Sequence, residues 1–149
     1  MKKYIILIII SLFVIIGCTK QEDDSILEND NKSNMNEAIS SMKIIIDGNE
    51  YVLNLENNET AISFVDMLPQ EFNMSELNGN EKYVYLNNDL PTNSYNPKHI
   101  NAGDVMLFGS NCLVIFYKSF DTVYSYTKIG HIDNLPDLGN NDILVRFQQ

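Results

Sequence analysis

The stretch Ala102–Asp133, AGDVMLFGSNCLVIFYKSFDTVYSYTKIGHID, decides how the rest of this chain is read. Gly103-Asp104 opens a strand-like run, Val105 to Phe108, and Gly109-Ser110-Asn111 turns the chain. Cys112 to Tyr117 is a continuous apolar run, the mark of a buried strand. After a loop, Thr127 to Ile132 makes a third strand. Val105, Leu113, Ile115 and Ile129 are the expected interior residues, while Gly103, Gly109 and Gly130 serve backbone geometry.

Working outward toward the N-terminus, Lys43–Ile46 and Tyr51–Leu55 flank Asp47-Gly48, a strong hairpin signal because glycine accepts positive φ. Ala61, Phe64, Val65 and Leu68 fall on one helical face, with Asn58 as N-cap, Glu59 in the first turn and Pro69 as the stop. This short helix is expected to pack on a sheet. Phe72–Leu77 alternates weakly, Asn78-Gly79-Asn80 turns, and Glu81–Leu86 is a strand. Its alternation puts Tyr83 and Tyr85 on one face and Val84 and Leu86 on the other. Asn87–Asn101 reads as a loop, which Leu90 and Tyr95 would pin. A turn at Pro136–Asn141 precedes a last strand, Ile143–Phe147. Seven or eight short strands with one or two short helices imply a mainly β domain, a mostly antiparallel closed barrel or a sandwich. Closure would also remove the edges that the apolar runs otherwise expose.

The other end of the chain carries a different message. Lys2-Lys3 precede an uncharged run, Tyr4–Ile16, whose 13 residues would span roughly 20 Å as a helix, short of a ~30 Å hydrocarbon core. That length suits a signal h-region better than a mature transmembrane helix or an uncleaved anchor. Ile15-Ile16-Gly17-Cys18 resembles the lipobox of bacterial lipoproteins. The resemblance implies a diacylglycerol thioether on Cys18 and cleavage between Gly17 and Cys18 by the lipoprotein signal peptidase. Several acyl chains (palmitate-like), each buried CH₂ contributing ~0.8 kcal/mol, would hold the protein on a membrane without a spanning helix. Residues 1–17 are then the signal peptide, and residues 18–41 the lipidated cysteine with a flexible acidic tether. As a random coil this tether spans about 25–30 Å. Residues 42–149 form the domain, facing outside the cytoplasm in the bacterial cell envelope.

Composition narrows the function. The 149 residues carry 20 acidic and 10 basic side chains, and loss of residues 1–17 leaves 8 basic against those 20. No basic stripe exists to neutralise phosphates, so nucleic acid is excluded as a partner, and the acidity reads as a device for solubility. Cys18 and Cys112 do not read as a disulfide pair, and Cys112 among Leu113, Val114 and Ile115 reads as a buried, inert thiol.

The ordered motifs of the domain resemble those of bacterial cyclophilin-like proteins. They are Leu68-Pro69, Asn78-Gly79 with Glu81-Lys82 and Tyr85-Leu86, Ala102-Gly103-Asp104, Phe116-Tyr117, and Lys128-Ile129-Gly130-His131-Ile132. The match covers residues 43–148. It implies a closed, cyclophilin-like β-barrel of about eight mostly antiparallel strands. The family's usual P-W-G turn is replaced here by Gly109-Ser110-Asn111, and the chain has no tryptophan. In cyclophilins an arginine in an F-H-R type segment bonds the prolyl nitrogen and weakens amide resonance, work suited to a rigid, always-charged fork. No such segment exists here, and the one arginine is Arg146 in the final strand. The expectation is a non-enzymatic module that binds a peptide or a small molecule, with a divergent peptidyl-prolyl isomerase as the alternative; fold alone does not decide.

Candidate sites are few. By analogy with the outer groove of cyclophilins, Phe108, Phe116, Lys128 and His131 are the groove candidates. Tyr83, Tyr85, Tyr95, Tyr117, Tyr124 and Tyr126 supply amphipathic rings suited to a groove or to barrel packing. His131 and Asp133 share a strand face and His99 could join them, but two histidines in the chain read as coincidence. No metal, cofactor or catalytic residue is expected. Asp104 reads as a hydrogen-bonder at a strand start, and Glu81-Lys82 as an exposed ion pair contributing little.

Overall fold

The computed structural model describes residues 39–149. The lipobox, Cys18 and most of the expected tether lie outside the described residues. Within them the expected closed barrel is present. Ten strands form, of which eight close the barrel and two make a separate ribbon.

β1 (Ser41–Ile46) and β2 (Asn49–Leu55) pair as a hairpin. Asp47 and Gly48 both adopt positive φ, 46° and 83°, as a two-residue turn matched to strand twist requires. The chain joins the sheet slightly ahead of Met42, since the Ser40 carbonyl accepts the Leu55 N–H at 2.8 Å. One helix follows, α1 (Glu59–Asp66). Asn58 caps it as expected, accepting from Ala61 N–H at 2.8 Å. The same side chain donates to the Lys128 carbonyl at 2.8 Å, which ties the helix start to the barrel wall. The buried face of α1 carries Ala61, Phe64 and Val65, and Phe64 meets Phe147 edge-on at 5.0 Å.

β3 (Gln70–Leu77) and β4 (Glu81–Tyr85) form a second hairpin over Asn78-Gly79, again with positive φ at both positions. Two short strands, β5 (His99–Ile100) and β8 (Phe120–Asp121), pair outside the barrel. They come from segments that read as loops in the sequence, because two residues leave no periodic trace. β6 (Asp104–Phe108), β7 (Cys112–Phe116), β9 (Thr127–Ile132) and β10 (Ile143–Gln148) complete the barrel. Its order is β1-β10-β3-β4-β7-β6-β9-β2, with every barrel pairing antiparallel.

Strand alternation divides the core into two clusters. The interior holds Ile44, Leu53, Met74, Val105, Leu107, Leu113, Ile115, Ile129, Val145 and Phe147, all fully buried. Burial of each such side chain contributes about 1.5–3 kcal/mol. The alternate residues of β6 and β7, Met106, Cys112, Val114 and Phe116, form a second cluster with Ile100 and Tyr126. This cluster lies on the outer face of the barrel, with Tyr83 and Phe120 packed against it. The wall allows close contacts where glycine stands. A Cβ on Gly130 would lie 2.3 Å from the Asn54 carbonyl oxygen, and one on Gly103 2.1 Å from that of Ile132.

Candidate functional site

The outer face of β4, β7 and β6 carries a groove of about 370 Å³. Period-two alternation on β4 sends Glu81, Tyr83 and Tyr85 to this side, and registers Tyr83 with Val114 and Tyr85 with Cys112. Phe108 joins from the end of β6, opposite Cys112. Tyr124 and Tyr126 form the far wall. Two loops hold that wall in place. The backbones of Tyr95 and Tyr126 exchange hydrogen bonds at 3.0 Å, and Asn96 Nδ2 donates to the Val123 carbonyl at 2.9 Å.

The rings meet edge to face, except for the tilted pair Phe108–Tyr126. Tyr83 and Tyr85 stand 6.0 Å apart, and Phe108 lies 6.1 Å from Tyr124 and 5.5 Å from Tyr126. Phe116, on the same side but fully buried, supports Tyr126 from beneath at 5.5 Å. Tyr85, Phe108 and Tyr124 remain exposed. Exposed aromatic rings above a buried apolar base are suited to an apolar ligand surface.

Glu81 supplies the one charged side chain of the lining. Burial pushes its carboxyl above the ordinary value; the Asn78 amide, 3.3 Å away, opposes this, and the negative charge of Glu76 reinforces it. Burial first, and then the Glu81 charge, raises the Cys112 thiol and the Tyr126 hydroxyl. A raised thiol is protonated and weakly nucleophilic, so Cys112 packs as a small apolar group.

Glu81 and Lys82 do not form the expected exposed pair. Adjacent strand residues point to opposite faces, and Lys82 turns inward until it is fully buried. Its Nζ donates to the carbonyls of Gly139 at 2.6 Å and Asn141 at 2.8 Å, and lies 4.8 Å from the Tyr117 ring centre. Burial lowers its pKa, against the pull of Glu76, Asp142, Asp137 and Asp47. Lys82 thereby fastens the turn before β10 to the barrel.

The four groove candidates separate in space. Phe108 lines the aromatic groove and Phe116 underlies it. Lys128 and His131 instead meet Asp104 on the outer face of β6 and β9, where Lys128 borders a smaller hollow of about 260 Å³ with Tyr95. Asp104 is almost fully buried, and its carboxylate lies 3.2 Å from Lys128 Nζ and 3.0 Å from His131 Nδ1. It also accepts the Asn101 N–H at 2.9 Å, the strand-start role expected for it. Burial alone would raise its pKa, but the Asn101 N–H, His131 and Lys128 outweigh that and hold it below the ordinary value. His99 pairs with Asp121 at 2.7 Å instead, and among the described residues no cluster is arranged to hold a metal ion.

Tyr117 lies in the interior cluster and Tyr95 borders the smaller hollow, so four of the six tyrosines noted in the sequence line the groove. The sequence reading did not include Glu81 among them. Its signal was present, since residues 81, 83 and 85 alternate onto one face.

The family model described as the cyclophilin-like family matches residues 44–148, nearly the whole of the described barrel. The chain belongs to that family. No curated protein and no solved structure matches it.

Proposed function

We propose that this chain is a bacterial envelope lipoprotein, anchored through Cys18, whose barrel binds a small molecule or peptide without transforming it. The observation that carries the binding reading is the groove, with Tyr83, Tyr85, Phe108, Tyr124 and Tyr126 around one carboxylate. The single arginine supports a non-enzymatic role. Arg146 Nε donates to Glu71 at 2.8 Å, so its fork is engaged between β10 and β3, and it does not line the groove. The anchor reading rests on Ile15-Ile16-Gly17-Cys18 alone.

A protease-coupled assay on the full-length chain in nonionic detergent tests the non-enzymatic claim. No acceleration of prolyl isomerisation above background is expected. Robust turnover that Tyr83→Ala abolishes and Cys112→Ala spares overturns it in favour of a divergent isomerase. For the anchor, Cys18→Ser releases the protein from membranes, and continued lipid labelling of that variant refutes the claim.

A further inference from the structure

From the chemistry of the groove lining, we infer that its ligand is a small organic ammonium cation with an apolar body. This rests on the reading of the groove as a binding site and specifies what that site selects.

Three observations combine. First, the lining is aromatic, and the π-face of a tyrosine or phenylalanine attracts a cation while tolerating its methyl or methylene groups. Second, Glu81 is the only charged residue in the lining, and it is a carboxylate. Third, this carboxylate has no counterion among the described residues. Among the described residues no lysine, arginine or histidine lies within salt-bridge distance of it. The nearest cation in sequence, Lys82, is turned to the opposite face and engaged by two carbonyls. A half-buried charge without a counterion is costly, and a ligand that brings the opposite charge offsets the cost. Burial, with the negative charge of Glu76 added, pushes the pKa of Glu81 up, in keeping with a charge that no cation answers.

The size of the site favours a small molecule. About 370 Å³ lies in the range of small-ligand pockets, open enough for an ammonium group with a ring or short chain. Anionic ligands are disfavoured by Glu81 itself and by the acidic excess of the chain.

The test is calorimetric titration of the full-length chain in nonionic detergent with two matched pairs. Choline is compared with 3,3-dimethylbutan-1-ol, its neutral isostere, and tyramine with 4-propylphenol. At least one cation is expected to bind at least tenfold more tightly than its neutral partner. Glu81→Gln, which keeps the shape and an acceptor for Asn78, is expected to remove that preference. Glu71→Gln reduces the net negative charge equally at a distance from the groove and is expected to leave binding unchanged. Equal affinity within both pairs overturns cation selection while leaving the groove as a binding site. Binding of the neutral compounds alone also overturns it. Failure of all four compounds to bind overturns both readings. An unchanged preference in a folded Glu81→Gln variant overturns the role of Glu81.

Discussion

Two carboxylates on the outer wall of one barrel show opposite solutions to burial. Asp104 is the more deeply buried, yet its pKa is lowered, because Lys128, His131 and the Asn101 N–H converge on it. Glu81 is less buried, yet burial raises its pKa, because only the Asn78 amide opposes it and Glu76 adds to it. Depth does not decide the sign; the count and charge of partners do. The Asp104 face is electrostatically complete and reads as part of the scaffold. The Glu81 face is incomplete, and it is also where exposed aromatic rings gather. On the proposed reading, the binding surface is distinguished by an interaction left unmade.

The contrast can be broken from either side. The largest effect is expected for Asp104→Ala, which leaves Lys128 only the more distant Glu56, at 3.7 Å, and His131 only Asp133, at 3.6 Å. Removing one partner of a buried ion pair costs about 3–5 kcal/mol, and about 3 kcal/mol is expected because the Lys128 and His131 side chains keep some water. Urea unfolding midpoints measure it. Lys128→Met leaves His131 and the Asn101 N–H on Asp104 and is expected to cost about 1 kcal/mol. Glu81→Gln should shift stability the other way, a gain of about 0.5 kcal/mol, since it removes a charge without a counterion. A loss of stability in that variant contradicts the reading of Glu81 as unpartnered.

Acid titration sharpens the same contrast. The folded-state pKa of Asp104 is lowered, so its contribution is present above the ordinary aspartate value and is lost as pH falls through the folded value. Glu81 has the opposite sign. Its folded state holds the proton more tightly, so stability falls as pH rises through the ordinary glutamate range toward the raised value. Glu76 on β3 and Cys112 on β7 share the Glu81 environment, whereas Lys128, His131 and more distantly Glu56 share that of Asp104. Unfolding midpoints followed against pH should show a shallower acid-side loss in Asp104→Asn. The opposing slope should vanish in Glu81→Gln.

Much of the barrel was legible because its signals are local. Asp47-Gly48 and Asn78-Gly79 specify hairpins through the φ values they tolerate, and Asn58 marks the helix start through one side-chain hydrogen bond. The interior roles of Val105, Leu113, Ile115 and Ile129 follow from strand periodicity. The site was less legible because it depends on register between distant strands. Lys128 and His131 face Asp104 only once β9 pairs with β6, and a shift in that ladder between Val105 and Met106 sets which β9 residues meet Asp104. Tyr124 and Tyr126 become a groove wall only when two loops bond at Tyr95 and Tyr126. Lys82 was misread for a different reason. Lysine is seldom fully buried, and its acceptors, Gly139 and Asn141, lie far along the chain. Glu81 was within reach of the same alternation that placed Tyr83 and Tyr85 together.

The most direct test of the contrast is a site-resolved carboxylate titration by ¹³C NMR on the full-length chain. Glu81 is expected to titrate above the ordinary glutamate value and Asp104 below the ordinary aspartate value in the same experiment. Glu81 titrating at or below its ordinary value would mean that its charge is already satisfied within the protein, and would contradict the account.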